Sequence, residues 1–257
     1  EKLKIKNLPF DLNGFRIVQI SDFHLGTWVS KEPLIRAVEE INALKPDLIF
    51  FTGDLVNNIT EEAFPFFDEL AEMKAKNGIY TVLGNHDYGK YHHWESKEEE
   101  EANFDELITF YDNLNWKLLR NAHEVIHLND ADLVIAGVEN WSINPRFPQL
   151  GDLDKAMHGV PDSCVKILLS HDPTHWEAEV LKHNQHIDLT LSGHTHGFQV
   201  GIETSFFRWS PAQYLYKHWA GLYAENDRYL YVNRGIGAIG FPGRIGIRPE
   251  ITLIELA

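Results

Sequence analysis

An α/β fold built around parallel strands is the fold class that this sequence predicts. In the first third of the chain, short apolar runs alternate with segments that carry apolar residues at helical spacing. These runs are largely apolar along their length, as strands are when helices cover both faces of a parallel sheet. The second half contains shorter strands separated by turn residues, which predicts a second, mixed sheet.

The first third reads as strand, helix, strand, helix and strand. These five elements are predicted at 16–20, 33–44, 47–51, about 61–76 and 79–83. Such alternation implies parallel pairing through right-handed crossovers. Between the halves, segment 88–103 is polar and contains a run of glutamates, which predicts a solvated loop or the start of a helix. The later strands are predicted at 132–138, 166–170, 188–192, 229–233 and 251–256.

Length and composition exclude several classes of protein. A chain of 257 residues can bury a sizeable core, and we expect a single domain over residues 1–257. The 38 acidic residues exceed the 23 basic ones and give a net charge of −15, which repels nucleic acid at long range. Cys164 stands alone, so no disulfide framework exists. No apolar run is long enough for a membrane span, but the chain starts at Glu1, and we expect a missing upstream segment.

Candidate metal ligands follow the predicted strands at their carboxyl ends, where ligands collect in open α/β sheets. Taken singly, each motif also fits a turn, a surface histidine or a polar strand face. Those ordinary roles do not explain why five such motifs occur in order, each directly after an apolar strand. The five motifs are Ser21-Asp22-Phe23-His24, Gly53-Asp54, Gly84-Asn85-His86-Asp87, Ser170-His171 and Gly193-His194-Thr195-His196.

This ordered set resembles the calcineurin-like metallophosphoesterase superfamily, and the resemblance covers residues 22–196. It implies a four-layer α/β/β/α sandwich, two divalent metal ions, and phosphoric-ester hydrolysis. One ion would take Asp22, His24 and His196, the other Asn85, His171 and His194, and Asp54 would bridge them. His86 would be a catalytic residue that is not a ligand, with Asp87 beside it and holding its ring. Gly89 stands where some members have a basic residue, so phosphate recognition from that position is not expected.

The chemistry of these residue types agrees with the resemblance. Carboxylate and amide oxygens mixed with imidazole nitrogens suit Mn²⁺, Fe²⁺ or Zn²⁺, and do not suit Ca²⁺ or a thiolate site. Asn85 adds an oxygen ligand without a further negative charge, so the two cations outweigh the two carboxylates and the site stays positive. A histidine beside the metals can protonate a leaving oxygen near neutral pH.

The two ends of the chain resemble a bacterial, membrane-associated branch of the superfamily, with YkuE-like and YaeI-like phosphoesterases and a UDP-diacylglucosamine hydrolase. The likeness rests on Lys6-Asn7-Leu8-Pro9 before Gly14, on Asn233-Arg234-Gly235-Ile236-Gly237, and on Pro249-Glu250-Ile251. It implies a nucleotide-linked or lipid-linked substrate, contact with a membrane surface, and an anchor in the missing segment.

Other residues admit two interpretations each. Arg234 and Arg244, with Arg248, lie in a glycine-rich stretch where a guanidinium group can meet either a phosphate or a carboxylate. The aromatic segments 206–209 and 214–219 suit either the core or a rim that contacts lipid. His175 could approach the site if its segment is helical, and the remaining histidines are expected to have structural roles.

The sequence therefore predicts a metal-dependent hydrolase of phosphomonoesters, phosphodiesters or pyrophosphates. The alternative is a non-catalytic interaction module with the same fold, which predicts that ligands are lost. All seven predicted ligands are present. A metal-storage protein would not require His86 and Asp87 beside Asn85.

Overall fold

Two six-stranded sheets lie at the centre of the computed structural model, which describes residues 1–204 and 207–257. The first sheet contains β1 Lys2–Leu3, β2 Arg16–Ile20, β3 Leu48–Phe51, β4 Ile79–Thr81, β5 Lys117–Leu118 and β14 Thr252–Leu256. The second contains β6 Ala122–Leu128, β7 Ala131–Gly137, β8 Val165–Leu169, β9 Leu189–Ser192, β12 Gly221–Glu225 and β13 Arg228–Val232. A separate two-stranded antiparallel sheet contains β10 Ile202–Glu203 and β11 Arg208–Trp209.

Five α-helices and several 3₁₀ turns connect the described strands. The α-helices are α1 Glu32–Ala43, α2 Phe67–Ala71, α3 Lys97–Asn113, α4 Leu153–Ala156 and α5 Thr174–Ala178. The 3₁₀ turns are Phe10–Leu12, Leu25–Thr27, Thr60–Phe66, Asn85–Tyr88, Val180–Lys182, His196–Gln199 and Pro211–Tyr214. None of the helices within the described ranges combines the length and the apolar character needed to cross a bilayer.

Pairing within both sheets is mixed. In the first sheet, β2, β3, β4 and β5 run parallel in that order, and β14 lies antiparallel to β2. In the second, β7, β8, β9 and β13 run parallel, with antiparallel β6 and β12 at the two edges. The carboxyl ends of the parallel strands therefore share one edge of each sheet.

Three apolar layers establish the α/β/β/α sandwich, which confirms the predicted fold. Alternate residues of one strand point to opposite faces, so Val18 and Ile20 pack towards α1 and α3 while Ile17 packs towards the second sheet. In the same way, Leu168 packs towards α4 and α5, and Ile167 packs towards the first sheet. The two sheets thus share one core, and each has its own helical layer.

Two predicted elements differ from the structure, and a third agrees with it. The helix predicted at about 61–76 is a 3₁₀ turn followed by the short helix α2, because Pro65 lacks an N–H group for α-helical bonding. Segment 88–103 contains the start of α3, as one of the two predicted readings has it, and the Ser96 hydroxyl accepts a hydrogen bond from the Glu99 N–H there. The last strand, β14, pairs with β2 in the first sheet and not within the second, because Ile254 and Leu256 pack into the core between the sheets.

Candidate metal centre

The predicted metal ligands follow the carboxyl ends of parallel strands in both sheets. Asp22 and His24 follow β2, Asp54 follows β3, and Asn85 follows β4 in the first sheet. The second sheet supplies the three remaining predicted ligands after β8 and β9: His171, His194 and His196. Six of the seven belong to compact groups of possible ligand atoms, and Asn85 directly precedes His86, which belongs to one of these groups.

The first cluster consists of Asp22, His24 and His196, whose ligand atoms lie within 4.8 Å of one another. The Nε2 atoms of His24 and His196 are 3.0 Å apart, and the His196 Nε2 lies 3.3 Å from the Asp22 Oδ1. All three side chains are buried. Two imidazole nitrogens and a carboxylate that converge in a dry site form a set of donors suited to a divalent cation.

The second cluster consists of Asp54, His171 and His194, with the same spacing of ligand atoms. The Asp54 Oδ2 lies 3.2 Å from the His171 Nε2 and 3.5 Å from the His24 Nε2. One carboxylate oxygen therefore reaches a member of each cluster. This is the position that a ligand bridging two ions must occupy.

Asn85 fits a ligand role because its side-chain oxygen is buried and has no hydrogen-bond partner among the described residues. Its Nδ2 donates to the Tyr91 hydroxyl at 2.9 Å, which keeps the Oδ1 directed away from Tyr91. A buried carbonyl without a partner is unfavourable by about 1–3 kcal/mol unless a ligand satisfies it. The residues present thus fit a bound metal ion.

Backbone strain is concentrated at the predicted ligand residues. Five of them have positive φ angles between 46° and 72°, a region that few residues other than glycine adopt: Asp22, His24, Asp54, His194 and His196. Such strain persists only where the surrounding structure imposes it, and it is typical of functional sites. Gly84 is required for a different reason, since a Cβ atom there would lie 2.1 Å from the Asp54 Oδ1.

The electrostatics show where a cation is needed. Burial lowers the pKa of His24 to about 3, which leaves the ring neutral, as a metal ligand must be. Burial alone would also lower the pKa of His171, but the Asp54 carboxylate outweighs it and raises that pKa to about 10. A protonated His171 thus supplies the positive charge beside Asp54 that a metal ion would otherwise supply. A bound metal ion would displace that proton.

His86 lies against the first cluster, where its ring meets that of His24 at a centroid distance of 4.8 Å. Its Nδ1 is 2.6 Å from the Asn57 carbonyl oxygen, and its backbone N–H donates to the Asp54 Oδ1 at 2.8 Å. The ligand atoms of His24, Asp54 and His86 also lie within 4.8 Å of one another. The ring is therefore held at the site by a backbone carbonyl.

Asp87 does not hold the His86 ring, so that expectation was wrong. The Asp87 carboxylate is buried and accepts hydrogen bonds from the backbone N–H groups of Asp54, Leu55 and Gly84, each at 2.8 Å. Three amides that face inward leave no free oxygen for an imidazole. Asp87 instead ties the Asp54 loop to the Gly84 loop. Burial and the nearby Asp54 carboxylate raise the pKa of Asp87 to about 7.

Three residues that the sequence did not identify lie at the site. The Tyr91 ring stacks on His86 at a centroid distance of 4.2 Å, in addition to its bond with Asn85. The Tyr216 hydroxyl lies 2.9 Å from the His194 Nε2, and the buried Asp172 carboxylate lies 3.5 Å from that nitrogen. A weak indication of Asp172 was present in the sequence, because this residue directly follows the predicted ligand His171. Nothing in the polar segment 88–103 pointed to Tyr91.

The two arginines proposed for substrate binding differ in their surroundings. Arg234 forms ion pairs with Glu250 and Glu203, so its guanidinium group has the carboxylate partners that the alternative interpretation predicted. The two carboxylates occupy the Arg234 guanidinium group, so the structure gives no support for a phosphate contact by this residue. Arg244 forms no ion pair with any described residue, and its NH2 lies 3.3 Å from the His196 Nδ1.

The aromatic segments contain both core and rim residues. Trp219 is buried and packs with Ala212 and Ile247, whereas Phe207, Tyr214 and Leu215 are exposed. Phe206 lies outside the described residues. His175 is buried, and its two nitrogens lie 2.9 Å from the Ser170 hydroxyl and 3.1 Å from the Glu179 carboxylate, so it is not placed as a ligand. Polar partners also hold the rings of the other predicted structural histidines His123, His127, His183 and His186.

Comparison with known proteins agrees with this site. Residues 15–198 match the family model described as calcineurin-like phosphoesterase. The metallophosphoesterase YkuE of Bacillus subtilis is 31% identical over 258 residues, which cover 99% of this chain and 83% of that protein. A "Transmembrane protein with metallophosphoesterase domain" of Danio rerio is 31% identical over 262 residues, and the match covers 99% of this chain but only 56% of that protein.

Solved structures show the same fold at low sequence identity. The NAD nucleotidase of Haemophilus influenzae has a TM-score of 0.54 at 14% identity, covering 86% of this chain and 45% of that one. The sulfate thiohydrolase SoxB of Thermus thermophilus has a TM-score of 0.54 at 12% identity, covering 98% of this chain and 58% of that one. The chain therefore belongs to the calcineurin-like phosphoesterase family.

Proposed function

We propose that the chain hydrolyses phosphoric esters with two divalent ions, Mn²⁺, Zn²⁺ or Fe²⁺, bound in the two clusters. The observation that carries the proposal is the position of the Asp54 Oδ2, which reaches His24 in one cluster and His171 in the other. In this assignment Asn85 joins the second cluster, where its unpartnered Oδ1 supports a ligand role.

When bound, a pair of such ions lowers the pKa of a shared water and stabilises the charge that develops on the phosphoryl oxygens. The chain's own residues fix the ligands in place. The His171 Nδ1 donates to the Thr52 carbonyl at 2.7 Å, so its Nε2 faces Asp54 and the ion site. Asp87 holds the Asp54 loop through backbone amides.

His86 is assigned the role of general acid. Because its Nδ1 contacts a carbonyl oxygen, which can only accept, that nitrogen carries a hydrogen and the Nε2 is the atom left for chemistry. A protonated Nε2 can pass its proton to a leaving oxygen. The bond from the His86 backbone to Asp54 ties this acid to the bridging ligand.

The finer proposal is a nucleotide-linked or lipid-linked substrate, such as a pyrophosphate of the UDP-diacylglucosamine type, processed near a membrane surface. Exposed Phe207, Tyr214 and Leu215 support it, because Leu215 directly precedes Tyr216, which contacts the ligand His194. The Danio rerio relative is described as a transmembrane protein and is longer than this chain, which supports an anchor outside the present sequence. The charge of −15 disfavours nucleic acid as a substrate.

Metal analysis of one bridging variant and one control tests the two-ion site. Purified protein should bind close to two transition-metal ions per chain, and Asp54→Asn should lose both together because an amide is a poorer bridge than a carboxylate. Asp227→Asn is the matched control, since Asp227 is exposed and pairs with Lys6 far from the site. A content of one ion or fewer, with no activity gained on adding Mn²⁺ or Zn²⁺, would contradict the proposal.

A substrate screen tests the finer proposal. The screen compares hydrolysis rates on nitrophenyl monoesters and diesters, cyclic nucleotides, a soluble nucleotide pyrophosphate and its diacylated-sugar counterpart. We expect the diacylated-sugar pyrophosphate to be hydrolysed fastest. Replacing the half-buried Trp209 by alanine should reduce that preference if the aromatic rim contacts the acyl chains. Equal rates on the soluble and acylated pyrophosphates in both proteins would leave the rim without a substrate role.

A further inference from the structure

A groove of about 750 Å³ lies beside the metal centre, between helix α1 and the C-terminal segment. Trp28, Pro33 and Ala37 form one wall, and Ile236, Pro242 and Ile251 belong to the other. The surfaces of these side chains are largely apolar, and Arg36 and Glu40 make the outer rim polar. We name this feature the Trp28 groove.

The Trp28 groove lies next to the first metal cluster. Three residues that line it contact cluster members: the Thr27 hydroxyl donates to the His24 carbonyl at 2.9 Å, the Gly237 N–H donates to the Asp22 carbonyl at 2.9 Å, and Arg244 reaches the ring of His196. The groove therefore adjoins the first cluster through these three residues.

Arg244 lies where the Trp28 groove meets the first cluster, and its guanidinium group has no carboxylate partner among the described residues. Its guanidinium group donates to the carbonyl oxygens of Arg234 and Gly237, but its NH1 is buried and has no partner among the described residues. Because the half-buried guanidinium group keeps one buried N–H donor without a partner in the described part of the chain, this position favours an anionic ligand.

His86 and Arg244 contact different histidines of the first cluster. The His86 ring lies 4.8 Å from the His24 ring, whereas Arg244 reaches the His196 Nδ1 and lines the Trp28 groove, which His86 does not. If His86 protonates the leaving oxygen, the leaving group lies on the His86 side. The Trp28 groove then faces a different substituent of the same phosphorus atom.

We propose that the Trp28 groove binds an apolar substituent that stays on the phosphoryl group, so that the substrate is a phosphodiester or a pyrophosphate and not a monoester. This inference rests on the proposed function. Water adds to phosphorus while the bond to the leaving oxygen breaks, and that oxygen leaves as an alcohol or phosphate after taking a proton. The substituent in the groove remains on the product, with Arg244 beside its phosphoryl oxygens.

Nitrophenyl alkyl phosphodiesters test the groove because the leaving group is constant while the retained group changes. On Mn²⁺-loaded protein, kcat/KM should rise from the methyl to the butyl and octyl esters, by up to about fourfold for each methylene that becomes buried. Ala37→Met fills the groove from α1 and should erase the difference between the esters. Ala43→Met is the matched control on the same helix, because Ala43 is exposed and does not line the groove.

Calorimetry with methylphosphonate and octylphosphonate gives a second measurement that does not depend on turnover or on the folding of the Ala37 variant. Tighter binding of octylphosphonate by the wild-type protein and by Ala43→Met supports the groove even if no ester is hydrolysed, and in that case only the proposed function fails. Normal hydrolysis with equal rates along the alkyl series, or faster hydrolysis of nitrophenyl phosphate than of every diester, would overturn the inference and leave the proposed function intact.

Discussion

Replacing Tyr91 by phenylalanine is expected to weaken metal binding by about 2- to 13-fold. The Tyr91 hydroxyl accepts a hydrogen bond of 2.9 Å from the Asn85 amide and thereby fixes the orientation of the Asn85 oxygen, the proposed ligand of the second ion. One such bond contributes about 0.5–1.5 kcal/mol, and 1.36 kcal/mol corresponds to a tenfold change in affinity. The phenylalanine ring still stacks on His86, so kcat at saturating metal should change little.

Replacing Tyr91 by leucine removes the ring as well. The Tyr91 and His86 rings lie 4.2 Å apart, and an aromatic pair of this kind contributes about 0.5–1.5 kcal/mol. We therefore expect kcat to fall by a further factor of about 2 to 13 for an alkyl leaving group, which needs a proton from His86. The fall should be smaller for nitrophenolate, which leaves without one.

Metal titration by calorimetry and kcat on the two leaving groups separate these effects. Tyr229→Phe is the matched control, since the Tyr229 hydroxyl donates to the Lys4 carbonyl at 3.0 Å, away from the metal centre. If both Tyr91 variants bind metal as tightly as the control, the Asn85 bond has no role in orienting the ligand. If the leucine variant slows both leaving groups equally, the stacking contact does not position an acid.

Three further predictions concern other parts of the site. His86→Ala should retain both ions and lose about 10²–10⁴-fold in kcat on alkyl esters, but less on nitrophenyl esters; loss of metal in proportion to activity would contradict this. Gly84→Ala should lower metal content, because its Cβ would lie 2.1 Å from the Asp54 Oδ1, and unchanged content by elemental analysis would refute it. Burial opposes ionisation of Glu250, but the Arg234 guanidinium group outweighs it and lowers the Glu250 pKa. The ion pair therefore stabilises the folded protein above the unfolded pKa of about 4.3, and this stabilisation is lost as pH falls through the folded pKa. Denaturant unfolding of Glu250→Gln should therefore depend less on pH in that acidic range than wild type.

The predicted ligands meet at one edge because of a rule that operates within each sheet. Parallel strands end on the same side, so motifs directly after apolar runs, such as Asp22 and Asp54, could be assigned to that edge without a structure. The strand at 251–256 was assigned to the wrong sheet because its apolar alternation is the same in either. Only packing against Ile17 and its neighbours decides which sheet it joins.

The supporting residues depend on contacts that sequence spacing does not report. Asp87 next to His86 suggested a pair, yet its carboxylate turns to backbone amides of a loop about thirty residues earlier. Arg234 and Arg244 look equivalent in the sequence, and they differ only because Glu203 and Glu250 reach one of them. Side-chain direction and long-range partners therefore account for most of what could not be predicted.

Each cluster takes ligands from both sheets, and this has a consequence for assembly and unfolding. His196 joins Asp22, which is 174 positions earlier in the chain, and His171 joins Asp54. Ions can bind tightly only after the two sheets have docked, so metal uptake should be a late step of folding. Once bound, the ions join the two layers as non-covalent cross-links, and at a hundredfold excess over Kd each would add about 2.7 kcal/mol to the free energy of unfolding. A chelator should therefore loosen the contact between the sheets at this edge before it affects either sheet internally.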